Sequence, residues 1–398
     1  MAKDKLKNIL IVCGFPFPHG YSGTNRILSY SKGFVEYERN VFVLIFTRTE
    51  DKTNPINDTY KGNYNGIYYE YASKNHNKGN FKIGKIIFYC IDLIRSLKKI
   101  YLIHKQNKID ALIISTDTPG LIFLYSFFSR IIKIPRRILI VDEYPKPIRY
   151  GGTKQNFVNI GFLRLAFLKL SAVISMTHSV LNYYQKIIKW DFNSFIVPIT
   201  VDNKRFSLQT KQKENIITYV GNLEIQKDGV DILIKAFNQI TNNHPDFKLL
   251  LVGQGKDIKH LRKLVNELEL FDRVIFKGKV KSNEIPEILC SAKILCLARP
   301  NSKRAEGGFP TKLGEYLASG TPVLITSVGE ITNYLTHEVD AYIAEPDDIN
   351  DFAKKLEEIL NNYKDAIIIG EKGKKITETV FNYNYQSKRM LDFLESLI

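Results

Sequence analysis

Short apolar runs rich in Ile, Val and Leu recur along the chain. Each is followed by a polar or glycine-containing loop and then by a stretch with helical spacing. The first is "NILIVCGF", which leads through "PFPHGYSGTNR" into a helix over 26–38. "NVFVLIFTR", "IYYEYAS", "IDALIISTD" and "RRILIVDEYP" read as further strands, and "FKIGKIIFYCIDLIRSLKKIYLIHKQ" as a helix with an apolar face and many basic residues. "NFVNIGFLRLAFLKLSAVISMT" reads as a basic amphipathic helix running into a short strand. Runs this uniformly apolar suit strands covered on both faces, hence a parallel sheet between layers of helices. The pattern starts again at "NIITYVGNL" (Asn215–Leu223) and continues through "GVDILIKAFNQI", "FKLLLVGQG", "IKHLRKLVNELEL", "RVIFKGKV", "SNEIPEILCSA", "KILCLARP" and "PVLIT".

A chain of 398 residues is too long for one ordinary core. The expectation is an α/β protein with two doubly wound Rossmann-like domains facing a central cleft. Residues 1–200 and 201–375 form the domains, and "IVPITVDNKRFS" (196–207) forms the hinge. A C-terminal segment over 376–398, containing the amphipathic "YNYQSKRMLDFLESLI", crosses back to the first domain. The apolar start "ILIVC" is too short for a signal peptide and fits a first strand. No apolar run reaches the roughly 18–20 residues of a spanning helix, Leu121–Phe128 being the best candidate. Cys13, Cys90, Cys290 and Cys296 lack metal-ligand spacing and sit in apolar runs, which implies buried thiols in a reducing, cytoplasmic setting.

The net charge of +16 becomes informative when divided. Residues 1–200 hold 29 Lys and Arg against 13 Asp and Glu, whereas residues 201–398 hold 28 of each. The whole surplus lies in the first half, which points either to an anionic partner for that half or to plain solubility. A nucleic-acid partner is disfavoured, because the charge comes with no recognition motif.

Ligands of doubly wound sheets sit where strand ends meet helix N-termini, so the loops after strands carry the chemistry. In "HGYSGTNRI", Gly20 and Gly23 let the backbone approach a ligand, and Arg26 adds a charge in the first helical turn. In "VGNLEIQKDGVDILI", Asn222 and Lys227 precede a helix, where a lysine reaches a phosphate as a flexible point charge. The most telling stretch is "RAEGGFPTKLGEYLASGTPVL". Gly307 and Gly308 break the chain, and Pro310 suits a first helical turn. A helix opening at Pro310 or Thr311 turns the amides of 309–312, Phe309 included, toward a diphosphate, and Lys312 adds formal charge. Glu315 follows one turn on, placed to accept hydrogen bonds from sugar hydroxyls such as a ribose pair.

The segments "YVGNL", "KDGVDILIKAF", "LLLVGQG", "FKGKV", "EIP" and "GGFPTKLGEYLASGTPVLIT", in this order, resemble retaining glycosyltransferases of the GT-B fold, family 4, and within them a "GGFPTK" subgroup. The similarity is strongest over 215–350 and weaker at 9–35 and 196–207. It implies a nucleotide-diphosphate sugar held mainly by the second domain and an acceptor held mainly by the first. By resemblance Glu315 holds the ribose, Lys227 belongs to the phosphate-binding pair, Gly23 lies near the donor phosphates, and Lys279 and Val280 meet the base. Three positions depart from the pattern. Asn222 stands where an arginine usually partners Lys227. The first glutamate of an E-x7-E pair would fall on Gly307, with Glu306 one residue early. Asp142 and Glu143 stand where a histidine is often found, either orienting an acceptor hydroxyl or serving as ordinary strand-end acids.

The implied activity is transfer of a hexose-type unit to a glycan or lipid-linked hydroxyl with retention, in cell-surface polysaccharide or glycolipid synthesis. Lys227 and Lys312, with the helix amides, would stabilise the departing diphosphate, and Glu143 is the acceptor-side candidate. No DxD motif is evident, so neither a metal nor any cofactor beyond the nucleotide sugar is expected. The basic first domain would lie on an anionic inner membrane face through helices near 81–108 and 162–175. The rival from another class is a nucleotide-sugar-binding protein without transferase activity.

Overall fold

The computed structural model describes residues 6–78, 82–152, 156–206 and 212–397. Phe81 and Ser207, at the ends of two segments marked out above, lie outside the described residues. The chain divides into two compact units, 1–198 with 383–398, and 199–382.

The first unit is built on β1 (Asn8–Cys13), β2 (Asn40–Ile45), β3 (Lys61–Tyr64), β4 (Ile67–Tyr71), β5 (Ala111–Ser115), β6 (Arg136–Val141), β7 (Ala172–Ser175) and β8 (Ser194–Ile196). Their order is β3-β4-β2-β1-β5-β6-β7-β8, parallel except for the β3–β4 hairpin. The strand period of two explains why β1 is apolar throughout. Ile9, Ile11 and Cys13 join one core, while Leu10 and Val12 join the core on the opposite face. The helices are α1 (Ser22–Glu36), α2 (Lys82–Asn107), α3 (Pro119–Ile131), α4 (Lys146–Arg149), α5 (Phe157–Phe167) and α6 (His178–Ile188). Side chains of α2, α3, α5 and α6 enter the same core as Leu10 and Val12.

The second unit carries β9 (Glu214–Val220), β10 (Lys248–Val252), β11 (Val274–Gly278), β12 (Ala292–Leu297), β13 (Val323–Thr326) and β14 (Tyr342–Ala344), in the order β11-β10-β9-β12-β13-β14, all parallel. Its helices are α7 (Ile225–Asp228), α8 (Val230–Ile240), α9 (Ile258–Glu267), α10 (Ile285–Ser291), α11 (Lys303–Gly307), α12 (Thr311–Ala318), α13 (Ile349–Asn361) and α14 (Tyr363–Glu378). The last helix, α15 (Tyr383–Ser396), belongs to the first unit, where Met390, Leu391 and Leu394 pack with Ile27, Tyr30 and Phe34 of α1. Residues 376–382 stay with the second unit.

Strand order reverses between β1 and β5 in one sheet and between β9 and β12 in the other. Such switch points open a crevice at the carboxyl ends of the strands. Three of the four cysteines are buried, and burial pushes the Cys13 thiol up to about 12. Cys90 on α2 is exposed, contrary to the expectation of buried thiols.

Candidate functional site

In the second unit the loops after β9 and β12 meet at the switch point. Gly229 takes φ +62° between α7 and α8, and a Cβ there would lie 1.7 Å from the Ala298 carbonyl oxygen. Only glycine lets the two loops approach this closely. α7 ends in Asp228, whose side chain is 2% exposed. Its Oδ2 accepts hydrogen bonds from Lys312 Nζ at 2.6 Å and the Tyr219 hydroxyl at 2.8 Å. Arg299, just past β12, brings Nε to 3.9 Å from Oδ1. Lys312 reaches Asp228 over Gly221, where a Cβ would sit 2.4 Å from its Nζ.

Burial would raise the Asp228 pKa, but Lys312 and then Arg299 outweigh it and hold the carboxyl below its ordinary range. Burial lowers the Lys312 ammonium, against the opposing pull of Asp228. Lys312 is thus anchored within the fold as well as adding charge at the mouth of α12. Lys227 differs. It is half-buried, and among the described residues its ammonium has no ion-pair or hydrogen-bond partner. Asp228 therefore faces three cations, Lys227, Lys312 and Arg299.

Asn222 carries no charge, and its Nδ2 donates to Glu224 Oε2 at 3.0 Å. The other Glu224 oxygen lies 2.8 Å from Lys256 Nζ and 3.3 Å from Arg304 Nη1. Two cations thus converge beside Asn222, one of them from the glycine-rich stretch itself. Counting Glu224, Asp228 and Asp257 against Lys227, Lys256, Arg299, Arg304 and Lys312 leaves the loop cluster positive.

The remaining residues of that stretch separate. Glu306 lies on α11 and pairs with Lys303 at 2.5 Å. Gly307 closes α11, and Gly308 is extended. Phe309 is buried edge-on against Tyr334 and Phe381, so it anchors the loop to the core. Pro310 caps α12, and Thr311 opens it with no acid in the first turn. Amides of a first turn have no partner within their own helix. Glu315 forms an ion pair with Arg205, whose Nη2 also donates to the Ser282 carbonyl oxygen at 2.8 Å. Ser282 lies two residues beyond Val280, in the loop that carries Lys279 after β11. Arg205 thus joins the carboxylate to the loop that resemblance assigns to the base.

The first unit closes its strand-end charges on themselves. Gly23 lies in α1, where a Cβ would meet the Phe15 ring at 3.2 Å. Arg26 is buried and turned away from solvent. Its Nε lies 2.9 Å from Asp142 Oδ1, and Nη2 donates to the Val197 carbonyl oxygen at 3.2 Å. Burial raises the Asp142 pKa, with Arg26 opposing and Glu143 reinforcing. Glu143 lies 2.9 Å from Arg149, which also pairs with Asp117 at 3.3 Å.

Tyr219, Glu224, Asp228, Lys256, Arg299, Arg304, Arg205, Asp117 and Arg149 are residues that sequence reasoning passed over. A charged residue at the end of an apolar run, as in "KILCLARP", is the signal that could have found Arg299.

Residues 200–376 match the family model of the glycosyl transferases, group 1. That span covers nearly all of the second unit. An uncharacterized glycosyltransferase of Methanocaldococcus jannaschii is 27% identical over 180 residues, 45% of this chain and 44% of the relative. N-acetyl-alpha-D-glucosaminyl L-malate synthase of Bacillus anthracis is 26% identical over 66% of this chain and 68% of its own length. The chain thus spans less than half of the first relative and about two thirds of the second. The structure of Anabaena HepE in complex with UDP aligns with a TM-score of 0.73, covering 98% of this chain and 100% of that one at 15% identity. The fold is GT-B, as the first motifs implied.

Proposed function

We propose that the protein is a retaining hexosyltransferase that moves a sugar from a nucleotide diphosphate to a hydroxyl acceptor. The observation that carries this is the positive cluster at the β9–β12 switch point, with the unpartnered Lys227 ammonium at its edge. The diphosphate would lie against Lys227 and the α12 amides, where charge that develops on the leaving group is stabilised. Glu315 would take the ribose once Arg205 yields it, and the loop around Lys279 and Val280 would meet the base. Binding of UDP by HepE makes UDP sugars the first donors to try.

The acceptor is proposed to be a glycan or lipid-linked hydroxyl, held by the first unit with Asp142 or Glu143 nearby. The protein would act without a metal, in cell-surface polysaccharide or glycolipid synthesis, from the cytoplasmic face of an anionic membrane. No helix among the described residues is long and apolar enough to cross a membrane.

The test is a thermal-shift screen of UDP, GDP and ADP sugars, followed by nucleotide-diphosphate release with and without EDTA. A donor that shifts unfolding and turns over supports the enzyme. A donor that binds and releases no nucleotide diphosphate with any acceptor supports a binding protein. Loss of turnover with EDTA, restored by a divalent cation, overturns metal independence.

A further inference from the structure

Among the described residues, 25 large apolar side chains are exposed, and 19 of them lie in the first unit. Seven lie on α2, interspersed with the exposed Arg95, Lys98 and Lys105, whereas α5 exposes no charge. Its exposed residues are Phe157, Val158, Phe162 and Leu165, all apolar, and Leu168 at its C-cap is 61% exposed. Its other side, with Leu163, Ala166 and Phe167, fills the core. A helix apolar on both faces has no side suited to water. α3 lies alongside, with Phe123 packing on Phe162 at 5.7 Å, and its outward residues are Phe127, Arg130 and Ile131.

Cations gather at the C-terminal ends of this helix pair. Lys133 follows α3 and is exposed, and Lys169 follows α5. Arg137 bonds the Lys169 carbonyl oxygen, which draws the two ends together. Acids are scarce along this stretch, although the exposed Asp191 lies next to Phe192, which packs on Phe167 at the end of α5. Between Thr118 and Trp190 only Asp142 and Glu143 are acidic, against eleven Lys and Arg. Both acids are held by arginines of the strand-end network, Arg26 and Arg149.

We propose that the outward face of α3 and α5 docks on an anionic lipid bilayer. α5 lies in the plane of the interface, its outward apolar residues among the acyl chains and Arg130, Lys133 and Lys169 at the level of the phosphates. Its 11 residues are too few to span. A second copy of the chain meeting the same face about a two-fold axis would set these cations against themselves, with Asp191 alone close by to answer them among the described acids of this stretch. This deepens the membrane side of the proposed function. It leaves the donor site to be judged separately by nucleotide binding, so the two can fail independently.

The full-length protein is floated with vesicles of phosphatidylcholine alone and with about 30 mol% phosphatidylglycerol. The expected result is recovery with the anionic vesicles only. The variant F157Q/L165Q/L168Q should lower partitioning at least about tenfold. R130Q/K133Q/K169Q should lower it by on the order of a hundredfold. Both should melt within a few degrees of the parent, because the substituted side chains reach the surface. Equal recovery with both vesicle types, recovery with neither, or indifference to both variants overturns the proposal. So does a lipid-free dimer that F157Q/L165Q/L168Q dissociates, which would make the face a self-interface.

Discussion

The two units share a doubly wound topology but direct their charges oppositely. The first carries the entire +16, and the second is neutral overall. Yet the neutral unit gathers an excess of cations at its switch point, while the basic unit closes its strand-end acids on Arg26 and Arg149. The contrast shows that net charge describes a surface, whereas an anion site is decided by local counting at strand ends and helix mouths. A ligand of the second unit meets charges fixed by the fold. A partner of the first unit would meet a surplus spread over exposed helices.

The sharpest break is Asp228→Ala. It removes the carboxylate that Lys312 and Arg299 face, and removal of one partner from a buried pair costs about 3–5 kcal/mol. Urea unfolding of the second unit should move accordingly. Glu143→Ala, the counterpart in the first unit, leaves Arg149 with Asp117 and should cost less than about 1 kcal/mol. Equal costs would erase the distinction. Acid makes the same cut reversibly. The Asp228 pKa is depressed in the fold, so its contribution is complete above about pH 4 and disappears as pH falls through the lower folded value. The acid limb of the stability profile should flatten in Asp228→Ala.

Lys227→Ala comes next. It removes the one ammonium of the Asp228 cluster that binds nothing within the described fold. Transfer should fall about a hundredfold, near 2.7 kcal/mol of leaving-group stabilisation, while the melting temperature stays put. A large loss of stability would show that Lys227 is structural, like Lys312.

Much of this was legible in the sequence. Continuous apolar runs gave away both parallel sheets, because strands covered on both faces leave that trace. The loops of Lys227 and Lys312 were legible as well, since glycines and a helix start mark them. What stayed hidden depends on distant partners. Nothing in "QKDGVD" shows that Asp228 will lie beneath Lys312, 84 residues on. Lys61–Tyr64 pairs as an edge strand with little apolar character to announce it. α5 misled in another way. Its spacing reveals an inward apolar face, so it reads as amphipathic, but its exposed residues are apolar too. Periodicity cannot tell which of two apolar faces meets the core.

The smallest effect distinguishes the two kinds of arginine. Arg26 is 4% exposed and held by Asp142 and a backbone carbonyl, so it cannot leave cheaply. Arg205 and Glu315 are 31% and 25% exposed, and a pair that wet contributes at most about 1 kcal/mol. If the nucleotide ribose takes Glu315, it must first separate the carboxylate from Arg205. Arg205→Gln should then tighten UDP binding by up to about fivefold, whereas Glu315→Gln should weaken it about tenfold. The double variant should bind as weakly as Glu315→Gln alone, because with the carboxylate gone there is nothing left for Arg205 to withhold. Weaker binding in Arg205→Gln would make Arg205 a nucleotide ligand rather than a competitor. An unchanged affinity in Glu315→Gln would move the ribose elsewhere. Calorimetric titration with UDP separates these outcomes. Arg26→Gln, assayed alongside, should lower stability and leave UDP affinity where it was.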